Sequence, residues 1–243
     1  VMAVAMLLKI AWLSVAASMV LYFAGILVVV MTLVSVIKNF YDTLYTNQGY
    51  LSFTLPVKCS SLLFSKVIVS FVWIILSFVA LALIYFVIFL NARNQTDGEM
   101  GSIIEMLKDS GILDMLPSGA MIAKFIVLVV VLALLAILTF VGFVYFAVTL
   151  ANTRPLQNHP KIFGFLIFFG SYAVSNSIGA KLTYSLPMSF SITNEGLKFA
   201  FSSMQNSEAI FSFGIGGTLF MALVALGMLF ATGWIMEHKV NIK

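Results

Sequence analysis

The chain has 243 residues, of which 62% are hydrophobic and 9% charged, with a formal net charge of +4; ordinary soluble domains carry about 25% charged residues. So few charges cannot cover a water-exposed surface, which excludes a soluble domain and leaves an integral membrane protein. The apolar runs are continuous over about twenty residues or more, whereas barrel strands alternate over about ten, so an all-α, polytopic transmembrane helical bundle is expected.

In chain order, VMAVAMLL at residues 1–8 is too short to span, and it reads as the tail of a sixth, N-terminal helix ending near Lys9. Five complete spans are expected after it, at 10–37, 62–90, 122–150, 162–184 and 214–236. The first two approach thirty residues, more than a bilayer requires, so they should tilt or protrude into water. Between them lies KNFYDTLYTNQGYLSFTLPVKCSSLLFSK, residues 38–66, a long polar interruption rich in aromatics that opens and closes on lysine. Residues 39–47 can form a short helix with Phe40 and Leu44 on an apolar side. Gln48-Gly49 breaks it, and Pro56 marks a turn or a new helix start.

Residues 91–121 hold five acids, Asp97, Glu99, Glu105, Asp109 and Asp114. Met100, Ile103, Ile104 and Leu107 share one helical face there, as an amphipathic loop on the rim of the bundle would. The link ANTRPLQNHPK, 151–161, carries two prolines and must turn the chain back. The fourth span turns polar after Val174, and Ser175, Asn176, Ser177 and Lys181 must face protein, water or a cavity, since a lysine at the bilayer centre costs about 3 kcal/mol. Residues 187–213 mix Phe190, Leu197, Phe199, Phe201, Ile210 and Phe211 with serines, as a half-immersed re-entrant or interfacial hairpin would. Glycines 214, 216, 217, 227 and 233 give the last span tight helix contacts.

Five spans place 38–61, the proline link and the C-terminus on one side, with seven bases (Lys38, Lys58, Lys66, Arg154, Lys161, Lys239 and Lys243) against two acids, Asp42 and Glu237. These bases sit close to span ends, where the positive-inside rule acts, and that side is assigned to the cytoplasm. The single cysteine, Cys59, excludes an intramolecular disulfide and a multi-cysteine metal site. His159 stands alone in its link and reads as a solvated loop residue. No GxxxxGK[ST] loop, no HExxH and no chain of intramembrane carboxylates occurs. If the chain moves something uphill, the energy must come from a partner.

The stretch FYDTLYTNQGYLSFTLPVKCSSLLFSK, followed at once by VIVSFVWIILSFVALALI, resembles the ABC-2 type (type V) permeases of bacterial ATP-binding-cassette exporters. In that family a similar aromatic, Gly-Tyr-Leu, Leu-Pro, then Ser-Lys series joins two membrane helices. The resemblance implies a six-helix permease half, with 38–61 as the cytoplasmic coupling region, including a coupling helix, that docks on a separate ATPase. It makes Asp42, Tyr45, Gln48, Gly49, Tyr50, Leu51, Leu55 and Pro56 the contact or positioning residues. It also makes 151–161 a second cytoplasmic link and 187–213 an extracellular re-entrant element. The sequence departs from the family in lacking the usual basic amphipathic helix and first span at its N-terminus. Read from its residues alone, 38–61 is equally an amphipathic loop lying on the membrane, its tyrosines anchored at the interface.

The function expected from the resemblance is a permease subunit in the bacterial plasma membrane. Two permease halves, identical or homologous, would form a path for an apolar or amphipathic substrate such as a peptide, antibiotic or lipid. Phe143, Tyr145, Phe168, Phe169, Tyr172, Ser175 and Asn176 are the expected path residues. The chain itself would be no enzyme and hold no metal or cofactor; ATP and magnesium would sit on the partner ATPase, and no nucleic acid is implied. A different class remains open, a non-transporting membrane sensor or immunity subunit that docks a cytoplasmic partner without ATP turnover.

Overall fold

The computed structural model describes residues 11–46, 59–95, 119–156, 158–185, 189–193, 196–200 and 211–238. The expected N-terminal tail at 1–9 and the amphipathic face at 100–107 lie outside them. In chain order the elements are α1 (Ala11–Tyr45), α2 (Cys59–Gln95), α3 (Gly119–Ala151), α4 (Pro160–Ser185), β1 (Ser189–Thr193), β2 (Gly196–Ala200), β3 (Phe211–Gly214) and α5 (Gly216–His238). Among the described residues, five helices are long and apolar enough to cross a membrane, so this is a multi-pass membrane protein.

Every expected span is a helix, but the ends differ. The helix α1 does not stop at Ile37 and restart; it runs unbroken to Tyr45, 35 residues or about 52 Å at 1.5 Å per residue. Apolarity ends at Lys38, yet no proline or glycine interrupts KNFYDTLY. Phe40 and Leu44 continue the four-residue spacing of buried positions from Val36. Similarly α2 starts at Cys59 and carries on through Asn91 and Arg93 to Gln95, beyond the end of its apolar run. The polar half of α4 stays helical to Ser185.

No sheet is expected in the stretch read as a half-immersed re-entrant or interfacial hairpin. Its described residues form a three-stranded antiparallel sheet in the order β2-β1-β3. Register explains why: β1 pairs Phe190 with Phe199 and with Phe213, and Ile192 with Leu197 and with Phe211. SFSIT, GLKFA and FSFG each alternate apolar and small or polar residues with period two, and pairing aligns the apolar positions across all three strands. The spanning elements remain all helical, and the sheet is an addition between α4 and α5.

The chain divides into two compact units, Val1–Val36 with Val72–Leu116, and Ile37–Phe71 with Pro117–Lys243. In the first, α1 and α2 lie side by side, with the Tyr22 and Tyr85 rings 5.9 Å apart. In the second, α3, α4 and α5 pack on one another and β2 lies beside α3. Its helix crossings depend on missing side chains. A Cβ added at Gly142 of α3 would stand 2.9 Å from the Ala225 carbonyl oxygen of α5, and one at Gly217 of α5 would stand 2.7 Å from the Gly179 carbonyl oxygen of α4. Where lipid is as apolar as the side chains, such close approach and its dispersion contacts hold helices together. The core of this unit is Ile137, Val141, Phe143, Val144, Tyr145, Ala147 and Ala151 of α3 with Ala222, Ala225, Ile235 and Met236 of α5.

Candidate functional site

The last two turns of α1 and the first three of α2, which flank residues 47–58, both close on one strip of α3. That strip holds Tyr145 and Thr149, spaced four apart, with relative exposures of 1% and 0%. From α1, Phe40 lays its ring on that of Tyr145, the centroids 3.6 Å apart and the planes 10° from parallel. One turn further along, the Tyr45 hydroxyl donates to Thr149 Oγ1 at 2.8 Å. From α2, Ser70 Oγ shares a hydrogen bond with the Tyr145 hydroxyl, and that hydroxyl reaches the Lys66 carbonyl oxygen at 3.2 Å. The bonds are mutually consistent when Ser70 donates to Tyr145 and Tyr145 donates to Lys66. Phe40, Leu44, Ser70, Tyr145 and Thr149 are buried, so these polar contacts form away from water, where an unpartnered hydroxyl is costly.

The same end of the unit gathers the other connections. Past Ala151, Asn152 donates through Nδ2 to the Val148 carbonyl at 2.7 Å, and the Thr153 hydroxyl donates to the Leu150 carbonyl at 2.7 Å. These side chains satisfy the carbonyls that a helix end leaves open, and both are buried. The chain then turns through Leu156 N–H to the Thr153 carbonyl at 3.0 Å, and Phe163 N–H to the His159 carbonyl at 3.1 Å starts α4 behind Pro160. The prolines do turn the chain back. Gly164 of α4 faces the methyl of Ala151, and Gly233 of α5 faces a methyl of Leu63 in α2. Cys59 lies within electrostatic reach of both Tyr45 and Glu237. The base of 47–58, the proline link and the end of α5 therefore share one end of this unit.

Of the expected coupling residues, Asp42 and Tyr45 lie on the last turn of α1. The Thr46 hydroxyl bonds back to the Asp42 carbonyl. Gln48, Gly49, Tyr50, Leu51, Leu55 and Pro56 lie outside the described residues.

The expected path residues separate into two places. Tyr145 belongs to the clamp just described and is enclosed by α1 and α2 rather than lining open space. Phe143, two positions earlier and so about 200° round the helix, meets Tyr172 of α4 edge-on at 5.8 Å. Phe168 stacks on Tyr172 and meets Phe169 edge-on at 5.3 Å, so Phe143, Phe168, Phe169 and Tyr172 form one aromatic row. Phe169 and Tyr172 are exposed at 52% and 44%, whereas Ser175 is buried. Further along α4, Asn176, Ser177 and Lys181 are exposed, and Ser177 satisfies its hydroxyl on the Ala173 carbonyl at 2.8 Å.

Sequence reasoning missed Phe40, Ser70 and Thr149 as partners of Tyr145 and Tyr45. The available signal was Tyr145 and Thr149 at i, i+4, a polar strip in a helix otherwise apolar at that end. Among the described residues no group of three or more His, Cys, Asp or Glu could hold a metal ion. No protein-family model, curated protein or solved structure matches the chain.

Proposed function

We propose that the chain is the membrane-spanning permease subunit of an ATP-binding-cassette exporter of the ABC-2 (type V) kind, in the bacterial plasma membrane. A second permease half completes the path, and a separate cytoplasmic ATPase that binds ATP and magnesium drives it by docking on residues 38–61. This chain contributes no catalytic group. Its cargo is apolar or amphipathic, a peptide, antibiotic or lipid, in keeping with the aromatic row of α3 and α4.

The observation that supports this reading is the clamp. A loop that merely lay on the membrane would need interfacial tyrosines, with their rings at the headgroup level. Here the tyrosine nearest the segment, Tyr45, turns its hydroxyl inward to Thr149, and α2 is tied to the same helix through Ser70. A segment held at both ends to the core helix of the bundle can deliver a push to it. The aromatic Gly-Tyr-Leu and Leu-Pro series between those ends supplies the family resemblance.

The test is co-purification with an ATP-binding-cassette ATPase encoded beside this chain, followed by ATP turnover in lipid nanodiscs. Stable association, lost in Gly49→Glu and Tyr50→Glu variants that remain folded, is expected. A folded wild-type chain that binds no ATPase would move the sensor or immunity reading to the front.

A further inference from the structure

We infer that the Tyr45–Thr149 hydroxyl pair is a releasable latch, built so that the end of α1 beside residues 47–58 can shift along α3 without stranding a buried polar group. Meanwhile α2 stays fixed to α3 through Tyr145. The inference rests on the proposed coupling role for its purpose, though not for its chemistry.

Three features of the contact permit release. First, a serine or threonine inside a helix can turn its hydroxyl to the carbonyl four residues earlier. This protein does so at Thr32, Thr139, Ser177, Thr183 and Thr232. Thr149 instead bonds to another helix, while the Tyr145 carbonyl lies four residues before it. Parting α1 from α3 therefore exchanges one hydrogen bond for another at Thr149. Secondly, Tyr45 has somewhere to turn: it is half-buried on the last residue of α1, where its hydroxyl can donate to water instead.

Thirdly, the Phe40–Tyr145 stack brings centroids to 3.6 Å with planes nearly parallel. That is close to a face-to-face sandwich, whereas ring quadrupoles favour offset or edge-on pairs with centroids about 4.5–7 Å apart. A sideways slip of α1 moves the rings toward the favoured arrangement. The α3–α5 crossing is the opposite case, because Gly142 against Ala225 leaves no room to slide. Motion is thus directed to the α1 contact, and α3 stays with α5.

The sole cysteine is a built-in probe, since Cys59 is the first residue of α2 and is half-buried. The full chain in nanodiscs is treated with a maleimide, and the modification rate is read alongside helicity and the unfolding midpoint. Tyr45→Phe is expected to raise the rate about fivefold, the worth of one modest hydrogen bond, with helicity kept and the rise present well below the unfolding midpoint, where globally unfolded protein is negligible. Thr149→Val should match Tyr45→Phe, and the hydroxyl-retaining Thr149→Ser should restore the slow rate.

A rate unchanged in the Tyr45→Phe variant would overturn the latch. So would a rate that rises only as the fraction of globally unfolded protein rises, because the bonds would then be ordinary structural ones. No ATPase is present in this assay, so failure of the exporter reading and failure of the latch are separately visible.

Discussion

The same two helices, α1 and α2, are built differently in the two units. Within residues 37–71, Phe40 and Leu44 are 1% and 0% exposed, and three polar contacts tie the helices to α3. Within 11–36 and 72–95, their described apolar side chains are mainly outward, with Val20 at 68%, Phe23 at 64% and Leu83 at 60%. There the pair meets through Tyr22 with Tyr85, and through Gly25 against Leu81 and Ile84. The first stretch carries Lys38, Asn39, Asp42 and Lys66, whereas the second holds no charged residue before Arg93. What ties the first to α3 is hydroxyl and aromatic chemistry at fixed spacing, which specifies partners where uniform apolarity specifies only lipid solubility.

The largest effect that sharpens this contrast is expected at the ring stack. Phe40→Ala should destabilise the folded chain by about 3 kcal/mol or more, since it empties a fully buried aromatic site; unfolding in mild detergent would measure it. An equal cost for Phe23→Ala would erase the contrast. Next comes Gly142→Leu, which drives a side chain into Ala225 and should cost about 1–3 kcal/mol by overpacking. The same titration reads it, and a neutral result would mean that α3 and α5 are not locked.

A smaller loss is expected for Tyr145→Phe, which keeps the stack and removes one hydroxyl with two partners. About 1 kcal/mol is the scale, because Ser70 can turn to the Lys66 carbonyl. Smallest of all, Phe23→Ala and Val20→Ala should stay within about 0.5 kcal/mol, as exposed positions do.

Particular residues show how much of this was legible beforehand. The five spans were plain from apolar length alone. Their ends were not, because hydropathy stops at Lys38 and Leu90 while backbone helicity continues until the chain loses its hydrogen bonds. The sheet was present as period-two alternation in SFSIT, GLKFA and FSFG, but the intervening serines suited a half-immersed hairpin equally well. In the site, Phe143 and Tyr145 read as one group because they are close in sequence. Facing decides otherwise: about 200° of helix sends one to the α4 aromatics and the other to Phe40 and Ser70. Composition carries no information about facing until the neighbouring helices are placed; the i, i+4 spacing of Tyr145 and Thr149 marked a polar strip, but nothing in the sequence named Ser70 as its partner.

The claim at the centre of the proposed exporter reading is that a push on residues 47–58 would reach α3 through the clamp. ATP turnover by the complex with the partner ATPase in nanodiscs, compared between the wild-type chain and Tyr45→Phe/Tyr145→Phe, tests it most directly. A relay through these hydroxyls requires that the double variant still co-purify with the ATPase while turnover falls back to that of the free ATPase. Turnover equal to the wild type's in a complex of the same stoichiometry would contradict it.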